Sequence, residues 1–453
     1  MKKTGTIFIL AAISALSCPA QPGPAVTSWM INNSSIMGRH YVNGNSTPIN
    51  DNVLANVQSV QYSSSSVYIT TNGIPAYITG PFLDGNPSLA TSQNGIFKFP
   101  LVPVQNTNTP VSTSGGNIGL FINGVALFDY RDGVSWKNST NALAGGPIGG
   151  MGDNVWNRDA VVAERVGFDC SKGHPAMGNY HHHQNPSAFK LDLSVISTIC
   201  NLYNADGLYG LDSTAHSPLI GFAYDGFPIY GGYGYKNTNG TGGTVRIKSG
   251  YQLRNVNTRS VYADGSDVLD GPPVNATYPL GYFREDYEYL PTTTLTPEIL
   301  DEHNGRFCVT PEYPNGTYAY FCTVDKNWNS AYPYAVGPTF YGVKNAAKVT
   351  SINESVTNYT ATTTGITKNT AELNVGVFPN PGTDFIAVQL GQINNQNILL
   401  SLYDVKGALV QTAVIYQGST ITYLDTRTLY NGIYYLQIHS LTGDMTKKIV
   451  VAR

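Results

Sequence analysis

Short runs of alternating apolar and polar residues recur through the chain, each stopped within a few positions by Asn-Gly, Asp-Gly or a proline. Val67-Tyr68-Ile69-Thr70 and Ile96-Phe97-Lys98-Phe99 are two of them; Asn123-Gly124 and Asp132-Gly133 bracket a third, Val125-Ala126-Leu127-Phe128-Asp129-Tyr130. Period-two alternation puts one face of an extended segment on a core, and an Asn-Gly or Asp-Gly step reverses the chain. With 31 Tyr, 47 Gly and only 12% charged residues, strand and turn formers outweigh helix formers. The expected fold class is therefore mainly β. Gly145 to Gly152 reads as a loop, and Trp156 to Glu164 is the best helix candidate. No repeat of about 20 to 50 residues stands out, which argues against a propeller or solenoid. A chain of 453 residues is too long for one core and should divide into two or three.

The N-terminus predicts export. Lys2 and Lys3 precede an apolar stretch from Ile7 to Leu16, and Cys18-Pro19-Ala20 follows as a small-residue cleavage pattern, giving a signal peptide over residues 1–20. The stretch is too short to span a bilayer, so no transmembrane segment is expected. Leu16-Ser17-Cys18 weakly resembles a lipobox, but Ala15 fits that pattern poorly, so plain cleavage is the reading adopted. A net charge of −3 with no basic stripe argues against nucleic acid and anionic membrane surfaces as partners.

Loss of Cys18 leaves Cys170, Cys200, Cys308 and Cys322, which in an oxidising compartment allow three pairings. Cys308 and Cys322 flank Tyr313-Pro314-Asn315-Gly316-Thr317 as partners across a hairpin would, and a bridge there would contribute about 3 kcal/mol. Cys170–Cys200 then follows by elimination and would clamp the segment holding His174 and His181.

At the other end, a Thr/Asn-rich connection (346–372) leads into Val377-Phe378-Pro379-Asn380-Pro381. Period-two runs follow at Ile398 to Tyr403, Ile433 to Ile438 and Lys447 to Val451, broken by Lys406-Gly407 and Asn431-Gly432. This describes a small Ig-like β-sandwich over 373–453. The arrangement closely resembles the C-terminal sorting domain of type IX secretion substrates. The resemblance implies the type IX machinery as a partner of residues 373–453, and a secreted or outer-membrane-surface location.

Tyr180-His181-His182-His183 concentrates the metal-binding potential of a chain with only eight His. On an extended segment His181 and His183 share one face, with Tyr180 and His182 on the other. Neutral imidazole suits Zn, Cu, Fe and Ni. Further ligands are sought in His174, which the following Pro175 biases towards an extended conformation, and in His216 and Asp225. Asp225 sits in the turn Tyr224-Asp225-Gly226-Phe227, where bonding to its own backbone is as good a reading as a functional carboxylate.

This segment, followed some forty residues on by Tyr224-Asp225-Gly226-Phe227-Pro228-Ile229-Tyr230-Gly231, resembles the YHYH domain family. Gly281 to Tyr289 and Leu300 to Tyr320 carry two further similar motifs. The resemblance covers about half the chain and implies a domain over 117–345; the alternating runs ahead of it make residues 21–116 an N-terminal β-rich part of the main domain. His182 stands where the family has Tyr, on the face away from His181 and His183, where it can add an outward ligand. The resemblance implies a fold neighbourhood and candidate residues, without a reaction.

Two readings of function follow. In the first, His181 and His183 with one or two of His174, His216 and Asp225 hold a Zn or Cu ion in an extracellular protein, open to hydrolase or oxidase chemistry. Asp225, Asp301 or Glu302 could then serve as a general base and Arg306 could steady an anion; Asp225 and Arg306 are the catalytic candidates. Glu285 and Asp286 read as solvated strand-end charges. In the second, the protein is a non-catalytic surface adhesion or carbohydrate-binding protein, its aromatic residues stacking on a glycan or other small molecule. No GxSxG, P-loop, HExxH or dinucleotide fingerprint occurs.

Overall fold

The structure is a computed structural model that describes residues 22–83, 88–188, 190–193, 195, 212–291, 296–360, 375–391, 397–405, 407–440 and 443–453. The signal segment 1–20 with Cys18, the later part of the 346–372 connection, and Cys200 with its expected pairing to Cys170 lie outside the described residues. The chain divides into two units, residues 1–360 and 361–453. No helix among the described residues is long and apolar enough to cross a membrane.

The first unit is built on an eight-stranded mixed sheet. In spatial order its strands are His174–Ala176, Asn179–His182, Ala126–Phe128, Asn117–Phe121, Leu219–Ala223, Pro228–Tyr230, Thr317–Phe321 and Gly305–Cys308. Leu219–Ala223 is buried at every position. It therefore reads in the sequence as a continuous apolar run and not as an alternation, as expected of a strand covered on both faces. The turn at Asn123-Gly124 reverses the chain with Gly124 at φ +81°, where a Cβ would lie 2.1 Å from Thr71 Oγ1, so only glycine fits.

Two pairings in this sheet are parallel, Asn179–His182 with Ala126–Phe128 and Pro228–Tyr230 with Thr317–Phe321. Parallel neighbours need long connections. The one joining Phe128 to the His-bearing strand carries a three-stranded sheet (Ala142–Gly145, Arg131–Lys137, Asn157–Asp159) and the short helix Ala160–Ala163.

A five-stranded sheet orders Ala347–Val349, Gly95–Pro100, Ser66–Thr71, Val57–Tyr62 and Thr357–Tyr359. Residues ahead of Asn117 and residues beyond Ala346 thus share one sheet, and one apolar core draws on side chains from Val26 to Ala346. The first part of the Thr/Asn-rich stretch supplies both edge strands, a role suited to β-branched residues.

Three expectations are corrected. Trp156 to Glu164 is not one helix: Asn157–Asp159 pairs with Arg131–Lys137, and only Ala160–Ala163 is helical. Asp159 forces the change of conformation by capping the backbone N–H groups of Val161 and Val162. Cys308 and Cys322 are free and buried. The hairpin register pairs Cys308 with Thr317 and Gly305 with Tyr320, which sets Cys322 about five residues, roughly 17 Å, along the ladder from Cys308. Lastly, Asp286 is fully buried and Glu285 keeps only about a tenth of its side chain exposed. Asp286 accepts from Arg259 Nε (2.7 Å) and Nη2 (2.9 Å); Arg259 also donates through Nη1 to Pro272 O, and its Nη2 lies within reach of the carbonyls of Tyr278 and Pro279. That pairing ties together the loop that the Tyr-rich sequence made look solvated.

The second unit contains a three-stranded sheet (Val375–Phe378, Phe385–Leu390, Ile421–Asp425) and a four-stranded one (Leu409–Ile415, Ile398–Tyr403, Gly432–Ser440, Gly443–Val451). Ile386, Val388 and Leu424 of the first pack with Leu400, Leu402, Leu436 and Ile449 of the second in one core, so alternate residues of each strand face inward.

Candidate metal centre

The hairpin at one edge of the large sheet brings the imidazoles together. Met177 (φ 49°) and Gly178 (φ 83°) form a two-residue turn with both angles positive, the geometry that matches strand twist. The register that follows pairs Ala176 with Asn179, Pro175 with Tyr180 and His174 with His181. His174 and His181 are therefore cross-strand neighbours on one face, their rings 4.6 Å apart. His183, two residues beyond His181, lies on that face too.

The opposite face is anchored to the core. The Asp169 carboxylate accepts from the backbone N–H of Gly80, Ser171 and Gly173 and from the hydroxyls of Ser171 and Tyr180. A Cβ on Gly173 would stand 2.4 Å from Tyr180 Oη, so glycine permits the close approach. His182 donates through Nδ1 to Lys172 O (3.0 Å) and accepts at Nε2 from the Tyr77 hydroxyl (2.9 Å). Burial pulls its pKa down to about 3. It is a neutral structural group with both nitrogens used, so it adds no outward ligand.

On the ligand face the ring orientations converge. His181 Nδ1–H donates to Asn179 O (2.8 Å) and His183 Nδ1–H to Asp129 O (2.6 Å), which leaves both Nε2 lone pairs directed inward. His183 Nε2 lies 3.1 Å from His181 Nε2 and 3.5 Å from His174 Nε2. Glu164, just past the short helix, places Oε2 3.2 Å from His174 Nε2 and 3.1 Å from His183 Nε2. All three His are buried, and their ligand atoms lie within 4.8 Å of one another. Phe128 stacks on His181 at 3.8 Å and Phe168 meets His174 edge-on at 4.9 Å, which makes the wall apolar.

Such crowding fixes the charge state. Burial, reinforced by His183 and His174, holds His181 far below the ordinary imidazole value. Burial also opposes a charge on His183, but the hydrogen bond and charge of Glu164 outweigh it and raise that pKa. Burial works against ionisation of Glu164 too, yet its bonds to His174 and His183 win and hold the carboxyl well below its usual range. The cluster is thus one carboxylate facing three imidazole nitrogens, a donor set that could hold a cation.

Other sequence candidates lie elsewhere. His216 bonds through Nδ1 to Ser217 O (2.8 Å) and packs its ring against Tyr230 and Tyr235, outside the His174/His181/His183 group. Asp225 accepts from the Tyr320 hydroxyl (2.6 Å), Gly342 N–H (2.8 Å) and Phe227 N–H (3.3 Å), so it pins its own turn to the neighbouring strand. Arg306 donates to the carbonyls of Tyr235, Lys236 and Pro297, which leaves it a structural brace. Asp301 accepts from the Tyr318 hydroxyl and from Gly305 N–H; Glu302 is exposed. Glu164 was the residue sequence reasoning missed: it belongs to no motif, and only the fold of the 131–176 connection brings it to the His face.

Among known families, the model described as YHYH protein matches residues 96–333, and that described as secretion system C-terminal sorting domain matches residues 376–452. No curated protein matches the chain.

Proposed function

Because this chain belongs to the YHYH protein family and ends in a type IX secretion sorting domain, we propose that it is an exported metal-binding protein whose ion is held by His174, His181, His183 and Glu164. The observation that carries the reading is the spacing of the four donors. Metal–nitrogen and metal–oxygen distances near 2.0–2.1 Å give a tetrahedron with edges of about 3.3 Å. Four of the six donor separations, 3.1, 3.5, 3.2 and 3.1 Å, lie near that edge, while those from His181 to His174 and to Glu164 are longer and would shorten as the rings close on an ion.

Supporting features lie one layer out. Asn179 O and Asp129 O fix the tautomers of His181 and His183, as outer partners of metal-bound imidazoles do. Two inward lone pairs 3.1 Å apart repel one another unless a proton or a metal ion sits between them. Glu164 is the most accessible of the four donors, its side chain 23% exposed, so solvent and small molecules would reach the ion from its side. Bound there, a divalent ion would supply Lewis acidity, and Zn would favour hydrolysis as Cu would favour oxidation. The reading extends to the ion, whose identity selects between those chemistries.

Titration of the untagged chain with Co²⁺ tests it. One equivalent should generate the intense visible bands of four-coordinate cobalt, absent in His183→Ala. A featureless titration of the folded wild-type chain would contradict the proposal.

A further inference from the structure

The segment Asp129-Tyr130-Arg131 carries more than the outer partner of His183. Its far end lines a separate cleft of about 310 Å³, bounded by Tyr251, Tyr262, Tyr287, Tyr332, Arg284 and Glu285. From this cleft we propose that the protein binds a saccharide of one or two rings, independently of the metal centre.

The walls are fixed aromatic planes. Tyr287 and Tyr332 stack at 4.1 Å with rings 7° from parallel, and Tyr251 meets Tyr332 edge-on at 5.3 Å. Tyr262 belongs to the other wall, its ring 5.9 Å from Trp156. The hydroxyls of Tyr251 and Tyr262 are tied to Glu302 O (2.8 Å) and Val155 O (3.1 Å), so these rings are positioned before any ligand arrives. Tyr251, Tyr262 and Tyr287 are all partly exposed. Tyr251 and Tyr287 rest one side on the buried Tyr130/Tyr332 cluster, and the part of each ring left exposed borders open volume.

The polar rim is equally ordered. Arg284 Nε pairs with Glu285 Oε1 at 3.1 Å, and Glu285 is held from behind by Asn157, through N–H (2.7 Å) and Nδ2 (2.8 Å). A planar guanidinium beside a planar carboxyl offers donors and acceptors side by side, the arrangement that vicinal hydroxyls satisfy. A pyranose ring has an apolar C–H face and a hydroxyl edge, which match the Tyr walls and this rim respectively. A purely apolar ligand would strip water from the Arg284–Glu285 pair and offer no hydrogen bond in exchange. The volume lies at the lower end of small-molecule sites, about 300 Å³, and suits one or two sugar rings.

Saturation-transfer NMR of the full chain with cellotriose, chitotriose, xylotriose and trigalacturonate tests the inference, followed by calorimetry with each trisaccharide that responds. At least one should bind, and Tyr262→Ala and Arg284→Gln should each weaken it by at least about tenfold while the melting temperature is kept. Arg284→Lys takes the place of Arg284→Gln if the latter does not fold, with the same expected loss because a lysine cannot form the planar pair. The double variant His181→Ala/His183→Ala should bind the sugar as the wild type does, which separates this cleft from the metal reading. Silence from all four trisaccharides, or binding indifferent to Tyr262 and Arg284, would overturn the inference.

Discussion

His174 stands directly opposite His181 across a hairpin closed by Met177-Gly178. The turn, which touches no ligand, therefore decides whether two of the four donors meet. Gly178 lies at φ 83° and a Cβ there would sit 2.1 Å from Thr91 Oγ1. Gly178→Val is expected to destabilise the protein by about 1 kcal/mol or more and to weaken cobalt binding with every donor still present. Thermal melts and Co²⁺ titration of the variant check both effects; unchanged metal affinity would detach the centre from the hairpin register.

Glu164 is the sole acidic donor of the cluster and the one nearest solvent. Glu164→Gln keeps the shape, removes the charge, and should reduce metal affinity by at least about tenfold. Competition with a chromophoric chelator measures the change. Affinity equal to wild type would remove Glu164 from the ligand set.

Burial pushes the Asp225 carboxyl up to about 6 against its bonds from Tyr320 and Gly342. Between an unfolded value near 4 and the folded value, the native state binds more protons than the unfolded chain, so this group's contribution to stability falls as pH rises through that window. Asp225→Asn removes the titration. Its melting temperature should decline less than the wild type's between about pH 4 and 6, as scanning calorimetry in matched buffers would show.

The thiols of Cys308 and Cys322 are free and buried, with burial raising both pKa values. Neither should react with iodoacetamide in the native protein, and both should react after denaturation without reductant. Peptide mass spectrometry distinguishes this from a bridge, which would leave both unlabelled.

Much of the fold is legible in the sequence because period two is a local property. Runs such as Val67 to Thr70 and Ile96 to Phe99 are strands, and the alternation through Tyr180 to His183 divides that segment into a ligand face and an anchored face. What local pattern cannot carry is pairing. The sequence around Cys308 and Cys322 looks symmetric about a turn, yet the hairpin pairs Cys308 with Thr317, which puts the two cysteines at different rungs of the ladder. Asp225 and His216 looked like ligands because their types suit a metal; the fold satisfies Asp225 with Tyr320 and Gly342 and buries His216 among aromatic rings. Glu164 left no signal because it arrives through a long parallel crossover, and Asp286 looked solvated because its partner Arg259 is 27 residues away.

Elemental analysis by mass spectrometry of the untagged chain, purified without chelator and set beside His181→Ala/His183→Ala, tests the central claim most directly. The account predicts about one equivalent of Zn or Cu in the wild type and none in the variant, with both folded. A metal-free wild type that stays metal-free after reconstitution with either ion would contradict it.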